Sequence, residues 1–164
     1  MGTTVYPHRE RQRVLLTGLL PDISTDPAIE TATDSVEAGR SGTIVAPVGI
    51  RPPLLAAVAT RAATPLVVLT ATGRDAETLT NALASWIPGV AMLPAWETLP
   101  HERLSPQVDT MARRIAVLRR LVHPVAGDES AGPISVLVVP IRAFLQPIIS
   151  GLADLEPVRV RTGD

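Results

Sequence analysis

Pro65-Leu-Val-Val-Leu-Thr70 and Ser135-Val-Leu-Val-Val-Pro140 decide the fold. Each is an unbroken apolar run rich in β-branched residues. Such runs suit strands covered on both faces in a parallel sheet, whereas a half-exposed strand would alternate apolar with polar. Behind the first run, Thr72-Gly-Arg-Asp75 is a turn that leads into a helix from Arg74 to Trp86, where Ala76, Leu79, Leu83 and Trp86 fall at helical spacing. Val90 to Leu93 is a further short strand, ended by Pro94. Ahead of the first run, Thr43-Ile-Val-Ala-Pro-Val48 has the composition of a buried strand, and Pro52 to Ala63 is a helix opened by two prolines and carried by Leu54, Leu55, Val58 and Ala59.

Further out, Pro94 to Gln107 is polar and loop-like, and a helix runs from about Gln107 to Leu121 with Met111, Ile115, Leu118 and Val122 as its apolar face. Gly127 to Pro133 is an acidic loop of small residues. Ile141 to Ile149 is a short helix interrupted by Pro147, and Glu156 to Arg161 is a last strand. This alternation of strands and helices predicts an α/β fold, a right-handed parallel sheet with flanking helices. Residues 1–41 read as a variable leader. Within it Asp26 to Ala38 forms a helix, with Asp26 as N-cap and Pro27 at the first helical position. The strand-like Val158-Arg-Val-Arg161 has nothing behind it to close another unit, so the expectation is a chain cut from a longer protein.

A chain of 164 residues suits one core, and 46% hydrophobic residues with 2% aromatic means that Ala, Val, Leu and Ile fill it. The net charge of −1 supplies no overall field toward nucleic acid or membrane. All 15 basic residues are Arg, so chemistry that needs a Lys amine is excluded. The absence of Cys removes disulfides, thiolate metal sites and Cys nucleophiles. No apolar run reaches membrane-spanning length and no signal-peptide pattern is present, which makes the cytoplasm the expected compartment.

A nucleotide phosphate would sit where the Thr43–Val48 strand enters its helix. The phosphate loop G-x-x-x-x-G-K-[ST] needs glycines that turn backbone N–H groups to the phosphates, a Lys for their charge and a hydroxyl for magnesium. Val48-Gly-Ile-Arg-Pro-Pro-Leu54 has one Gly, no Lys and two prolines that remove N–H donors. Arg51 in that loop is most simply solvated. The dinucleotide pattern G-x-G-x-x-G and the hydrolase elbow G-x-S-x-G are also absent from the sequence. His101 with Glu97, Glu102 and Asp109 is the one cluster of acids and histidine, and its spacing matches no metal motif; His8 and His123 are surface positions. The pairs Arg113-Arg114 and Arg119-Arg120 invite a nucleic-acid interface, although no aromatic residues alternate with them for base stacking.

Pro94-Ala-Trp-Glu-Thr-Leu-Pro-His-Glu-Arg-Leu-Ser-Pro-Gln-Val-Asp109, followed by Met111-Ala-Arg-Arg-Ile-Ala-Val-Leu-Arg-Arg-Leu121, is the most specific stretch of the chain. Trp96 and Leu99 anchor an irregular loop, Pro100 and Pro106 stiffen it, and Ser105-Pro106 caps the helix behind it. From about Thr43 to Asp164 the chain closely resembles the start of the bacterial transcription-repair coupling factors, whose "W-E-T-L-P" loop, "S-P-x-x-D" turn and following "V-L-V-V-P-I-R-A-F-L-Q-P" segment match here. The "HERLSP" form and the Arg/Ala-rich composition look actinobacterial.

The resemblance implies a degenerate helicase-like (P-loop NTPase-like) domain over 42–164. It would be similar to the first domain of the B-component of the repair excinuclease without its phosphate loop, and truncated before a domain that binds the excinuclease A-component. For the parent protein it implies an ATP-dependent DNA translocase that releases RNA polymerase stalled at lesions and recruits the excinuclease A-component, with ATP and magnesium held in motor domains beyond Asp164. For this segment it implies no catalytic, cofactor or metal residues and no membrane. Trp96, Glu97, Pro100, Arg103, Ser105, Pro106 and Asp109 carry the family signature, and the expected role is contact with the other domains of the parent chain. Two alternatives stand beside it: a surviving nucleic-acid-binding module that uses Arg113, Arg114, Arg119 and Arg120, and a cryptic ATPase.

Overall fold

A computed structural model of the chain describes residues 15–97 and 107–156. Its centre is a three-stranded parallel sheet of β1 (Leu66–Thr70), β2 (Val90–Met92) and β3 (Val136–Pro140), in the order β1-β3-β2. Leu66 and Val90 both pair with Val136, which puts the three strand starts in line. All five residues of β3 are buried, as two covered faces and two strand neighbours require.

Among the described residues six α-helices flank the sheet or pack on its helices: α1 (Leu20–Ser24), α2 (Pro27–Glu37), α3 (Arg51–Arg61), α4 (Gly73–Leu83), α5 (Val108–Val122) and α6 (Ile141–Phe144). On one face Ala56 and Ala59 of α3, with Ala76 and Leu83 of α4, pack onto Val136 and Val138 and the side chains of Leu66, Val68, Val90 and Met92. Small residues on both helices let the backbones come close to the sheet, which suits a core with few aromatics. On the other face Val117 of α5 and Ala143 of α6 cover Ala91, Leu93, Leu137 and Val139. α4 carries the chain from β1 past β3 to β2, and α5 brings it back on the opposite face. Both the direction and the helix face reverse, so the two crossovers share one hand, as parallel α/β units require.

The helix starts follow their local sequence. The Asp26 carboxylate accepts from the N–H groups of Ala28 and Ile29 at 2.9 and 3.4 Å, with Pro27 behind it, as the sequence predicts. The Thr72 hydroxyl accepts from Asp75 N–H at 3.1 Å and donates to the Asp75 carboxylate at 2.7 Å, which fixes the start of α4. α2 lies against α3 through Ile29, Ala32, Leu54, Ala57 and Val58, and Arg61 joins them by bonds to Asp34 (2.9 Å) and Glu37 (2.8 Å). Residues 15–37 therefore pack against the rest of the body: Leu16 N–H also donates to Ser85 O at 2.7 Å and the Thr17 hydroxyl to Trp86 O at 2.6 Å.

Three expectations change. Thr43–Val48 is not a strand: it is irregular, and Val45 is 96% exposed. A strand persists where a neighbour takes its N–H and C=O groups, and among the described residues none lies beside it. The buried stripe of α5 is Thr110, Arg114, Val117 and Leu118, whereas Met111 and Val122 are exposed. The helix is rotated by about one residue, roughly 100°, from the most apolar stripe, because Arg114 has an inward task. The segment Ile141–Ile149 keeps only one helical turn before Pro147. The expected strand from Glu156 to Arg161 falls almost wholly outside the described residues.

Candidate functional site

Where a phosphate loop would stand, Val48–Ile50 makes one 3-10 turn, with Ile50 N–H donating to Pro47 O at 3.1 Å. α3 follows directly. Its second and third residues, Pro52 and Pro53, have no N–H, and no side chain caps its start. A helix start attracts anions through free N–H groups aimed outward, and here two of these are missing by covalent structure. Arg51 is exposed beside them.

The polar architecture lies instead around Pro94–Glu97, where the chain leaves β2. Leu93 N–H still donates to Val138 O at 3.0 Å, so the departing chain starts in register with the sheet. Four side chains from two other regions then hold it. The Arg114 guanidinium donates through Nη1 to Pro94 O at 2.6 Å and lies with Cζ 4.5 Å from the Trp96 ring centroid. The Gln146 amide closes a two-bond ring on Trp96, accepting from its N–H at 2.7 Å and donating to its C=O at 3.2 Å, much as a neighbouring strand would. Arg142 donates to Glu97 O at 3.2 Å, and the Thr110 hydroxyl donates to the Glu97 carboxylate. A buried hydrogen bond contributes about 1 kcal/mol net and a cation–π contact about 1 kcal/mol, so the Arg114 and Gln146 contacts hold Pro94 and Trp96 in place.

Arg114 is the centre of this clamp and is 0% exposed. Its Nε and Nη2 have no hydrogen-bond partner among the described residues. Burial pushes the guanidinium below its ordinary pKa, the direction expected of a cation removed from water. The Thr110 hydroxyl draws the Glu97 carboxyl below the usual carboxylate range, against the opposing effect of partial desolvation.

Of the seven signature residues, Trp96 and Glu97 meet in this clamp. Asp109 lies on the exposed side of α5, paired to Arg113 at 2.8 Å one turn on. Pro100, Arg103, Ser105 and Pro106 lie outside the described residues, as do His8 and His101. α5 begins at Val108 behind Gln107, which makes no side-chain cap bond. Thr110, Arg142 and Gln146 carry no signal in the sequence that marks them for this site. Gln146 belongs to the "F-L-Q-P" string, but no spacing rule links it to Trp96 fifty residues earlier.

The four arginines of the nucleic-acid alternative differ in burial and in partners. Arg113 is exposed and paired; Arg114 is buried. Arg119 donates to Leu155 O at 3.2 Å and lies 4.0 Å from Glu156. Arg120 donates to Gly132 O at 2.8 Å, holding the 127–133 loop against α5. A cavity of about 490 Å³ lies between α5 and residues 155–156, lined by Ala112, Ile115, Ala116 and Leu155, with Arg119 and His123 at its edge. His123 lies 2.7 Å from Asp154. Among the described residues no three His, Asp or Glu side chains gather as a metal set, and no helix is long and apolar enough to cross a membrane.

Comparison with known proteins gives the family. Over 124 residues the chain is 47% identical to the transcription-repair-coupling factors of Mycobacterium bovis and Mycobacterium tuberculosis, a stretch that covers 74% of this chain and 10% of each relative. The chain therefore spans about a tenth of the length of the curated relatives it matches. No protein-family model matches it. The chain is an actinobacterial relative of the transcription-repair-coupling factors.

Proposed function

From that kinship, we propose that the chain is a contact domain of a transcription-repair-coupling protein, a scaffold without catalysis of its own. The parent activity, by the same proposal, is ATP-driven release of RNA polymerase stalled at DNA lesions, followed by recruitment of the nucleotide-excision repair machinery through the excinuclease A-component. DNA, ATP and magnesium belong to other parts of that protein. The present domain is, by the same proposal, a degenerate member of the helicase-like α/β class over residues 42–164, with residues 15–37 packed on it.

The observation that carries the proposal is the contrast between two places in the fold. At the start of α3 two prolines stand where anion-binding N–H groups would be needed. At the Trp96 loop, buried Arg114, Gln146, Arg142 and Thr110 together fix the chain leaving the sheet. Polar side chains are concentrated at the Trp96 loop, where shape is maintained, whereas the start of α3 carries Arg51 beside two prolines and no side-chain cap. A rigid loop of this kind presents a constant surface to neighbouring domains.

The placement of the arginines supports contact over the nucleic-acid alternative, since one is buried and the other three are bonded to acids or carbonyls. Titration of labelled duplex and single-stranded DNA tests this. Binding weaker than about 10⁻⁴ M at physiological salt, the weak end of non-specific binding, is expected. Submicromolar, steeply salt-dependent binding that is lost in Arg113→Ala/Arg119→Ala would overturn the scaffold-only proposal.

A further inference from the structure

The cavity of about 490 Å³ beside α5 belongs neither to the Trp96 clamp nor to the start of α3. Its floor is the outer side of α5, where Ala112 and Ala116 stand about one turn apart with Ile115 beside them. Two methyl side chains in succession open a hollow that longer residues would fill. The walls on either side are tied to α5 by polar bonds. Arg120 donates to Gly132 O at 2.8 Å and so places Ser130 and Ala131. Opposite, Arg119 donates to Leu155 O at 3.2 Å and His123 lies 2.7 Å from Asp154, two pins that hold Leu155 against the hollow. The volume lies within the range of small-molecule sites, about 300–1,000 Å³.

The interior suits an apolar group better than water. The side chains of Ala112, Ile115, Ala116, Ala131 and Leu155 offer no hydrogen bond, whereas a held water needs about three polar partners. Charge lies at the rim and is mainly positive. Arg119, Arg120 and His123 line it, with Glu156 as the acid among the described lining residues. The bonds of Arg119 and Arg120 go to carbonyl oxygens, which fix a guanidinium without cancelling its charge. Glu156 is 4.0 Å from Arg119, beyond hydrogen-bond length, and its side chain is 86% exposed, so another carboxylate displaces it at little cost. Asp154 faces His123, and Asp128, which Arg120 also attracts, is bonded within its own loop.

We propose that this cavity binds a small amphipathic carboxylate, a molecule with an alkyl body and one anionic head. The body lies on Ala112, Ile115 and Ala116 against Leu155, where it takes the place of poorly bonded water. The head meets Arg119, whose guanidinium is already fixed by Leu155 O and gains a charge-assisted bond in place of the distant Glu156. Because the ligand touches α5 and Leu155 together, its binding also fastens residues 152–156 to the helix. The inference does not rest on the contact proposal, and its failure leaves that proposal untouched.

Titration of the chain with sodium decanoate below its micelle concentration, followed by amide and methyl NMR shifts, tests this. Saturable shifts centred on Ala112, Ala116, Ala131 and Leu155 are expected, with decanol bound about tenfold more weakly for want of the charge-assisted bond. Ala116→Leu fills the hollow from an exposed position with another good helix former, so it abolishes the shifts while the thermal midpoint of the chain stays unchanged. Glu156→Gln removes the competing acid and strengthens decanoate binding about threefold, the scale of an exposed ion pair, with decanol unaffected. The absence of saturable shifts overturns the proposal, as does equal binding of decanoate and decanol. Decanoate binding that survives Ala116→Leu, or shifts centred on Val67, Phe144 and Ile149, assigns the ligand to another apolar surface and also overturns it.

Discussion

Arg114 shows how a charged residue comes to occupy a core position. Its neighbours on the inner stripe of α5 are Thr110, Val117 and Leu118, and its guanidinium bridges Pro94 O and the Trp96 ring. A buried cation with no carboxylate paired to it among the described residues is costly, so its worth lies in geometry rather than in net stability. Arg114→Met keeps the volume and removes the charge. Its stability is expected to stay within about 1 kcal/mol of the parent, because apolar replacement of buried ionic groups is often neutral or better. In a Trp86→Phe background the same change should raise acrylamide quenching of Trp96, since Met cannot donate to Pro94 O and the chain that carries the ring is less firmly held. Asp128 supplies the pH dependence. Its carboxylate accepts from the N–H groups of Ser130 and Ala131 and from the Ser130 hydroxyl, and these bonds, Ala131 first, hold it below the usual aspartate range. A carboxyl depressed in the folded state stabilises above its unfolded pKa and loses that effect as pH falls through the folded value. Asp128→Asn should therefore have a lower thermal midpoint than the parent near neutral pH, with the gap closing once the solution is acid enough to protonate Asp128. At this scale the sequence disclosed Trp96 and Glu97 through their signature. It hid Arg114, because polarity alone places an arginine on the solvent side of a helix.

The elements followed their sequence wherever local chemistry and a neighbour agreed. β1, β3 and the Asp26-capped α2 lie where composition and capping place them. Thr43–Val48 shows the limit, since strand composition describes a side-chain environment and a strand also needs a hydrogen-bonding partner. α5 shows another: the stripes Met111-Ile115-Leu118-Val122 and Thr110-Arg114-Val117-Leu118 lie about one residue apart on the helix, and only tertiary contact chooses between them. Gln146 was unreadable because its partner is distant in sequence. The junction of β2 with β3 is a sensitive point at the same scale. Gly89 adopts φ +73° and its C=O accepts from Ser135 N–H at 2.8 Å; a Cβ there would lie 2.8 Å from Ser135 Oγ and 2.9 Å from Pro133 O. Gly89→Ala is expected to cost about 2 kcal/mol in chemical denaturation, from strained backbone and steric conflict together. A neutral result would mean that the β2–β3 junction is looser than its contacts indicate.

For the whole molecule, a small parallel sheet and a clamped loop support the proposal of a body that works by what it touches. The α/β class was legible because strand runs and helix periods alternate plainly along the chain, and kinship with the coupling factors was legible in one loop. The cavity beside α5 was not, because a hollow belongs to the assembled fold and to no residue alone. The proposal is that this α/β body is a degenerate helicase-like fold that binds no nucleotide. Its most direct test is the thermal unfolding of the chain with and without millimolar magnesium-ATP. A ligand present at about a hundred times its dissociation constant would stabilise the fold by about 2.7 kcal/mol, a rise of several degrees. The midpoint is expected to stay where it is; a saturable rise that grows with ATP concentration would contradict the claim.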